Sequence, residues 1–157
     1  MVIRPYDPAD CEILSQLFYH AVHSTRAYTK AQQNAWAPQV PQGWNDGFLA
    51  NHTVVAEKAG QLIGFADMDA SGYLDRLYVH PAYQRKGVAT ALCDALETAS
   101  SAERFLTRAS LDAKPFFEAR GYRVIKQQQV ERCGILLTNF VMTKERRQKY
   151  ADRKTSK

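Results

Sequence analysis

A short basic turn, Gln84-Arg85-Lys86-Gly87-Val88-Ala89, constrains the fold of this chain more than any other segment. It follows an apolar run typical of a strand, residues 73–79, and precedes an amphipathic run typical of a helix, residues 88–99. The first turn of a helix leaves backbone N–H groups without partners and carries a partial positive charge. Gly87 also permits close approach of the backbone to a ligand. This order of elements predicts a site for a phosphate or pyrophosphate at the start of the helix.

Periodicity along the rest of the chain predicts one α/β domain, residues 1–143, with a mixed and mostly antiparallel sheet. We expect six to seven strands flanked by about four helices. The expected strands are residues 2–6, 53–58, 61–67, 73–79, 105–110, 122–131 and 135–143. The expected helices begin near residues 8, 88 and 112, with one or two more between residues 26 and 51. The first helix is expected to bury one face, formed by Ile13, Leu14, Leu17, Phe18, Ala21 and Val22.

Length and composition restrict the class of protein. The 157 residues suffice for one domain with one sizeable core. Hydrophobic residues make up 45% of the chain and charged residues 24%, which is the balance of a globular protein in water. No apolar run approaches the ~20 residues that cross a bilayer, and no signal peptide is visible, so we expect no membrane partner. The three widely spaced cysteines, Cys11, Cys93 and Cys133, predict free thiols and a cytoplasmic location.

The net charge of +5 raises the question of a nucleic-acid partner. Residues 144–157 contain seven basic and two acidic residues, so this C-terminal tail carries the whole excess. Residues 1–143 hold the remaining 14 basic and 14 acidic residues and are neutral. A solvated basic tail is the simpler interpretation, and the neutral domain argues against nucleic-acid binding.

Two segments resemble the acetyl-CoA motifs of the GNAT (GCN5-related N-acetyltransferase) superfamily. Residues 77–92 read LYVHPAYQRKGVATAL and are similar to the family's cofactor loop, Gln/Arg-x-x-Gly-x-Gly/Ala. Residues 110–122 read SLDAKPFFEARGY and are similar to its later motif, Asn-x-x-Ala-x-x-Phe-Tyr-x-x-x-Gly-Phe. Other segments, AWAP at residues 35–38 and LTNFVM at residues 137–142, resemble a bacterial subgroup of acetyltransferases whose acceptors are generally unassigned.

The resemblance implies that acetyl-CoA is the cosubstrate and that no metal is required. The other common phosphate motifs, GxxxxGK[ST] and GxGxxG, are absent from the sequence. The resemblance also implies that strand 73–79 splays from strand 105–110, and that the pantetheine arm of CoA lies in the gap and forms hydrogen bonds with the backbone of Leu77 and Val79. The residues expected to bind the cofactor are Leu77, Val79, Gln84, Arg85, Lys86, Gly87, Val88, Ala89, Thr90, Ser110 and Phe117.

Strand 73–79 also carries the candidate catalytic residues. If its side chains alternate regularly, residues 73, 75, 77 and 79 share one face. Tyr73 falls where some family members have a catalytic Glu, but tyrosine is a poor base near neutral pH. Asp75 lies two residues further on the same expected face and is the better candidate for the base, directly or through water. The alternative for Asp75 is an ion pair with a neighbouring basic residue.

The expected proton donor departs from the family pattern. The family's usual donor to the thiolate is the tyrosine of Phe-Tyr, and this chain has Phe116-Phe117 instead. Tyr78 and Tyr122 carry hydroxyl groups, although core packing explains both residues. We therefore expect little dependence on an enzyme acid, and a CoA-binding sensor that has lost catalysis stays an alternative to an enzyme.

The acceptor is expected to meet aromatic side chains. Tyr28, Trp36 and Trp44 lie in the irregular region that shapes the acceptor pocket in this superfamily, although packing under a loop is the alternative. They favour a small amine with an apolar, planar or cationic part, attacking the thioester directly in a ternary complex. His20 and His23 share a helix face but have no evident third ligand for a metal. The final hairpin offers an edge strand to a second copy, which makes a homodimer an expectation.

Overall fold

The structure, a computed structural model, describes residues 1–146, which form one sheet with helices packed on both faces. The helices are α1 (Cys11–His23), α2 (Lys30–Trp36), α3 (Asn45–Ala50), α4 (Val88–Ala99) and α5 (Lys114–Ala119). The strands are β1 (Val2–Pro5), β2 (His52–Lys58), β3 (Gln61–Met68), β4 (Tyr73–Val79), β5 (Arg104–Ala109), β6 (Arg123–Arg132) and β7 (Ile135–Glu145). Short 3₁₀ turns precede α1 at Pro8–Asp10 and α4 at Pro81–Tyr83.

The sheet is mixed and mostly antiparallel, as predicted. Its strand order is β1-β2-β3-β4-β5-β7-β6. The β4–β5 pair is parallel, and the other neighbouring pairs of the described sheet are antiparallel. The predicted fold class is therefore confirmed. The prediction of one or two helices between residues 26 and 51 is met by α2 and α3.

Two apolar cores lie on opposite faces of this sheet. Helix α4 packs on one face through Val88, Leu92 and Leu96, as its periodicity predicted. Helix α1 packs on the other face through Leu14, Leu17, Phe18 and Val22. The prediction for Ile13 is wrong, because its side chain is 51% exposed. Ser15 is buried in the same helix, and its hydroxyl group donates to the carbonyl of Cys11.

Strand β4 contains a β-bulge at Asp75. Leu74 pairs with Met68 and Arg76 pairs with Asp67, so two consecutive residues of β3 face three residues of β4. The extra residue reverses the alternation of side chains along the strand. Tyr73 and Asp75 face the α1 side of the sheet, whereas Leu77 and Val79 pack with the core beneath α4. The prediction that residues 73, 75, 77 and 79 share one face is therefore wrong.

Strands β4 and β5 pair only at their beginnings. The described pairs are Tyr73 with Leu106 and Leu74 with Thr107. Beyond these pairs the strands separate, so the backbone of β4 from Asp75 onward has an edge without a partner strand. The expected splay of these strands is confirmed. An unpaired edge of backbone donors and acceptors inside a sheet is a site for a ligand that supplies its own amide groups.

The last strand extends further than predicted. β7 continues to Glu145, and the N–H group of Arg146 donates to the carbonyl of Glu103 at 2.9 Å. Lys144 and Glu145 therefore belong to the sheet rather than to the predicted tail, whose remaining residues, 147–157, lie outside the described part of the chain. None of the helices in residues 1–146 combines the length and apolar character needed to span a lipid bilayer.

Candidate active site

A cavity of about 790 Å³ opens where the α1 face of the sheet meets the gap between β4 and β5. Its aromatic lining consists of Phe18, Tyr28, Trp36, Trp44, Tyr73 and Tyr78. Its polar lining consists of Asp75, Arg76, Arg108, Ser110, Arg132 and Asn139, together with Thr138 and Gln39. The structure thus brings together both predicted catalytic residues, all three predicted acceptor residues and Ser110.

Asp75 and Tyr73 lie side by side along the same wall of this cavity. The Asp75 side chain is 45% exposed, and its oxygen is 4.0 Å from the Arg76 guanidinium. Partial burial raises the pKa of Asp75, and the nearby charge of Asp67 raises it further. Burial and the charge of Asp75 likewise raise the pKa of Tyr73. Asp75 is thus a carboxylate with increased basicity, whereas Tyr73 stays protonated at neutral pH.

The bulge that places Asp75 in the cavity is held by a buried carboxylate on the adjacent strand. Asp67 is fully buried and accepts a hydrogen bond from the backbone N–H of Arg76 at 2.9 Å. Its other oxygen accepts from Nε of Arg76 at 3.0 Å and from the amide of Asn51 at 3.1 Å. Breaking a buried, hydrogen-bonded ion pair is costly, so this arrangement fixes the backbone of β4 beside Asp75.

The predicted acceptor residues form the aromatic wall opposite β4. The Trp44 ring lies 4.9 Å from the Arg76 guanidinium carbon and 4.8 Å from the Phe18 ring. Trp36 meets Tyr28 edge to face at 5.3 Å. Both indoles are half-buried, so part of each ring is open to the cavity. This wall suits a ligand with an apolar or planar part.

Tyr28 also ties three segments together. Its hydroxyl group donates to the carbonyl of Thr138 at 2.6 Å and accepts from the N–H of Leu111 at 2.9 Å. Burial raises the pKa of this hydroxyl group. Because both hydrogen bonds go to backbone, the hydroxyl group shapes the cavity, and only the ring is available to a ligand.

The basic turn lies at the start of α4, where the sequence predicts an anion site. Gly87 precedes the helix with a φ of +82°, in the left-handed region, and a Cβ atom there would meet no atom within 4 Å. The backbone conformation therefore favours glycine, and any other residue at this position would be strained. None of the hydrogen bonds found in residues 1–146 uses the N–H groups of residues 85–90. Arg85 and Lys86 are exposed beside these groups, and Thr90 is exposed in the first helical turn.

Backbone groups of β4 point into the gap between the strands. The N–H of His80 donates to the carbonyl of Ile63 in β3, and backbone directions alternate along a strand. The N–H groups of Leu77 and Val79 must therefore point away from β3. The carbonyl of Val79 accepts from the side chain of Gln84 at 2.9 Å, which attaches the basic turn to the strand. The side chains of Leu77 and Val79 are in the core, so the backbone is the part of each residue that is open to the gap, and the expected backbone contacts with the cofactor stay a prediction.

Two predicted cofactor residues have different surroundings. The Ser110 hydroxyl group lines the cavity and accepts from the N–H of Ala113 at the start of α5. Phe117 is only 2% exposed and packs against Phe116 and Tyr122. Phe117 is part of the core beneath α4. Almost none of its ring surface is exposed, so the structure offers little area for the expected contact between this ring and the cofactor.

Tyr122 is held away from the cavity by a buried acidic residue. Its hydroxyl group donates to Glu97 at 2.8 Å, and Glu97 also accepts from Arg120 and Lys144 at 3.0 and 2.7 Å. Burial raises the pKa of Tyr122. Burial also opposes ionisation of Glu97, but its hydrogen bonds from Arg120, Lys144 and Tyr122 lower its pKa overall. This network joins α4 to β7 and is structural.

Several cavity residues were not predicted. Tyr78, Arg76, Arg108, Arg132 and Asn139 all line the cavity. Burial raises the pKa of Tyr78, so its hydroxyl group stays protonated at neutral pH and can donate a hydrogen bond within the cavity. The bulge brings Arg76 to this side, and the β6–β7 hairpin brings Arg132 and Asn139. For Arg108 a weak signal exists in β5: Phe105, Thr107 and Ala109 are buried, whereas Arg108 between them is exposed. This alternation indicates that the Arg108 side chain points away from the core beneath α4.

The candidate metal ligands of α1 have other roles. The Nε2 atom of His23 is 2.7 Å from the carbonyl of Ala37, and its ring packs on Tyr19. Across residues 1–146, no cluster of three or more His, Cys, Asp or Glu side chains is arranged to hold a metal ion.

Comparison with known proteins identifies the family. The family model of the acetyltransferase (GNAT) domain matches residues 24–144, which is most of the chain. The chain belongs to the GNAT acetyltransferase family. It is 38% identical over 142 residues to the uncharacterized N-acetyltransferase YafP of Escherichia coli K12, covering 89% of this chain and 93% of that protein.

Solved GNAT structures share the fold. A GCN5-related N-acetyltransferase from Rhodopseudomonas palustris superposes with a TM-score of 0.83 at 33% identity, covering 92% of this chain and 94% of the other. The yncA protein of Salmonella typhimurium, whose structure holds its cofactor acetyl-CoA, superposes with a TM-score of 0.72 at 21% identity over 94% of this chain and 95% of the other. This GNAT domain is an acetyl-CoA-dependent acetyltransferase.

Proposed function

We propose that this GNAT enzyme transfers the acetyl group of acetyl-CoA to a primary amine of a small molecule, by direct attack in a ternary complex. One observation carries the proposal: the unpaired edge of β4, the basic Asp75 carboxylate and an aromatic wall share a single cavity. The cavity volume of about 790 Å³ matches the size range of small-molecule sites. Tyr28, Trp36 and Trp44 would contact the acceptor through their rings.

The turn before α4 would bind the pyrophosphate of CoA. The unpaired N–H groups of residues 85–90 and the positive end of α4 favour an anion there, and exposed Arg85 and Lys86 add charge. Gln84 would hold the turn against β4. The backbone groups of Leu77 and Val79 would pair with amide groups of the pantetheine arm, and Ser110 would line the gap from β5.

Asp75 would act as the general base. An aliphatic ammonium has a pKa of about 10.4 and must lose a proton before it can attack. Asp75 would accept this proton, directly or through a water molecule. The neutral amine nitrogen then forms a bond to the thioester carbonyl carbon, the carbon–sulfur bond breaks, CoA leaves as a thiolate, and the nitrogen releases its second proton to solvent as the amide forms. Tyr73 adjoins Asp75, and its phenol oxygen would orient the amine by accepting a hydrogen bond from one of its N–H groups.

Two groups on β4 would support the transfer. A backbone N–H on the unpaired edge, at Leu77 or Val79, would stabilise the negative charge that develops on the thioester oxygen. The Tyr78 hydroxyl group, which keeps its proton at neutral pH, is available to the leaving thiolate. A thiol pKa of about 8.5 makes this help small, because CoA is already an adequate leaving group.

We place the enzyme in a reducing compartment such as the cytoplasm, since Cys11, Cys93 and Cys133 are free thiols. Burial raises the pKa of the Cys93 thiol to about 12, so it is no nucleophile for an acetyl-enzyme route. A homodimer through the outer edge of β6 is a further proposal, supported by the position of β6 at the end of the sheet.

A turnover assay tests the proposed function. CoA release is measured with a thiol reagent while the purified full chain meets acetyl-CoA and a panel of primary amines, and the acetylated product is identified by mass spectrometry. The proposal predicts amine-dependent CoA release that Asp75→Asn reduces. Binding of acetyl-CoA without release, for every amine, would instead indicate a sensor module.

A further inference from the structure

We infer that the acceptor is an amino acid-like molecule, a primary amine that also carries a carboxylate, and that Arg108 and Arg132 bind this carboxylate. The inference rests on the proposed function and adds the substrate class. It follows from the charges, the unpaired polar groups and the aromatic surface that share the cavity.

The cavity lining has an excess of positive charge. Its charged residues are three arginines, Arg76, Arg108 and Arg132, and one acid, Asp75. Arg76 is neutralised from behind by the buried Asp67. Two guanidinium groups therefore face one carboxylate. An acceptor that brought only an ammonium group would leave this excess uncompensated, whereas an acceptor with a carboxylate would balance it.

Arg108 and Arg132 are free to bind a ligand. Both are exposed, and no ion pair in residues 1–146 involves either one. The Arg108 guanidinium carbon lies 5.9 Å from the centre of the Tyr73 ring, next to Asp75. Arg132 reaches the cavity from the end of β6. A guanidinium group binds a carboxylate through two parallel hydrogen bonds, which neither an amide nor an ester can accept in the same way.

The cavity also provides acceptors for the ammonium end of such a molecule. The side-chain oxygen of Asn139 is buried, and it is the one buried side-chain polar atom of residues 1–146 that lacks a hydrogen-bond partner. Buried polar atoms are otherwise satisfied almost without exception, so an unpaired acceptor in a cavity wall points to a donor on a ligand. Asn139 and Asp75 can receive N–H groups, while Arg108 and Arg132 receive the carboxylate.

The remaining wall is aromatic. Trp36, Trp44 and the Tyr28 ring offer apolar surface and no charge. An amino acid with an apolar or aromatic side chain would fill this side of the cavity. Each part of such an amino acid therefore has a counterpart in the cavity. The two arginines match its carboxylate, Asp75 and the Asn139 oxygen match its amine, and the aromatic surface matches its side chain.

Matched substrate pairs test the inference. Each pair is an amino acid and its amide, namely L-phenylalanine, L-tryptophan, L-leucine and glycine with L-phenylalaninamide, L-tryptophanamide, L-leucinamide and glycinamide. The amides keep the amine and the side chain but lack the carboxylate. The ratio of kcat/KM for acid and amide is measured in the wild type, Arg108→Gln, Arg132→Gln and the double variant.

We expect at least one amino acid to be acetylated, and each single variant to lower the acid-to-amide ratio by about 10- to 100-fold, the range of a hydrogen-bonded charge pair. The amine of an amino acid and the amine of its amide differ in reactivity. This difference cancels when the acid-to-amide ratio of a variant is compared with that of the wild type. Arg123→Gln is the matched control, since Arg123 is exposed on β6 outside the cavity lining and should leave the ratio unchanged.

A binding measurement tests the proposed carboxylate site without depending on catalytic turnover. Isothermal titration of 3-phenylpropionate, which has no amine, into the CoA complex should show binding that weakens in the double variant, while CoA binding itself stays unchanged. An unchanged acid-to-amide ratio, or weaker CoA binding in the variants, overturns the carboxylate role while leaving amine acetylation intact. Failure of every amine to release CoA overturns the proposed function, and the inference with it.

Discussion

The carboxylate of Asp67 binds both the backbone N–H and the guanidinium group of Arg76 on the adjacent strand. This contact stabilises the bulge at Asp75, which turns the Asp75 side chain toward the aromatic cavity and the side chains of Leu77 and Val79 toward the core. The same bulge directs the backbone N–H groups of Leu77 and Val79 into the gap beside β5. One buried ion pair therefore sets the positions of the proposed base, of the strand edge proposed to bind the cofactor, and of one wall of the cavity.

Replacing Asp67 by Asn should both destabilise the fold and impair the site. Asp67 is fully buried, and loss of its charge leaves Arg76 without compensation. We expect the free energy of unfolding to fall by about 3 to 5 kcal/mol, measured by urea denaturation. A displacement of β4 by about 1 Å would lower kcat/KM by about 100-fold.

A more exposed ion pair, Glu57 with Arg4, serves as the control for Asp67→Asn. Glu57 binds Arg4 across β1 and β2 with both side chains about one third exposed. Glu57→Gln should cost less than about 1 kcal/mol and leave activity unchanged. Equal losses in the two variants would show that burial at Asp67 is not the source of the stabilisation.

Gly87→Ala should weaken CoA binding through backbone strain alone. An alanine at a φ of +82° costs about 1 to 2 kcal/mol, although space for its methyl group is available. The turn should relax and misalign its N–H groups, and titration calorimetry should show CoA affinity lower by about tenfold. Gly60→Ala is the control, because Gly60 has a φ of +79° and open space in the β2–β3 turn. It should lose similar stability and keep its CoA affinity. Equal affinities in both variants would remove the turn from the cofactor site.

Asp75→Asn should abolish the acid limb of the pH–rate profile. A base works only when deprotonated, so kcat/KM of the wild type should rise with pH through the pKa of Asp75, which lies above the ordinary aspartate value. The variant should lose about 10²- to 10⁴-fold and show no such limb. Because the raised pKa means that the folded state disfavours the ionised carboxyl, the variant should be at least as stable as the wild type at pH 7. Glu103→Gln, an exposed site outside the cavity, should retain both rate and limb. A persistent limb in Asp75→Asn would assign the base elsewhere.

Glu97→Gln should weaken the dependence of the free energy of unfolding on pH. The folded pKa of Glu97 lies below its ordinary value of 4.5, so its ionised form stabilises the fold at pH values above 4.5. This contribution, about 2 to 3 kcal/mol at pH 7, is lost as the pH falls through the folded pKa. The difference in unfolding free energy between wild type and variant should therefore shrink below pH 4.5. Glu118→Gln, from an exposed pair with Lys114, should change stability by less than about 1 kcal/mol at either pH. A difference that does not vary with pH would exclude the ionic contribution of Glu97.

Local patterns in the sequence were sufficient for much of the fold. Tyr73–Val79 and Val88–Ala99 begin and end at the predicted residues, because an apolar run, a glycine turn and a helical period all lie within one short segment. The bulge at Asp75 could not be predicted in this way. It depends on Asp67, a carboxylate from the adjacent strand, and regular alternation was the only available assumption for β4.

The sequence predicted those residues of the candidate site that lie in or near one of the two family motifs. Asp75, Tyr73 and Ser110 flank the two family motifs, and the structure places all three in one cavity. Arg108, Arg132 and Asn139 come from separate strands and look like ordinary exposed residues along the chain. Only tertiary packing brings them together, so their common place in the cavity lining depends on the sheet order, which sets the β6–β7 hairpin beside β5.

Initial-velocity kinetics with both substrates varied would test direct transfer in the cavity most directly. Acetyl-CoA and an accepted amine are varied together, and each CoA released is matched to one acetylated amine. Direct attack in a ternary complex predicts intersecting double-reciprocal lines and no acetylated protein after incubation with acetyl-CoA alone. Parallel lines together with a covalent acetyl group on the protein would contradict the account.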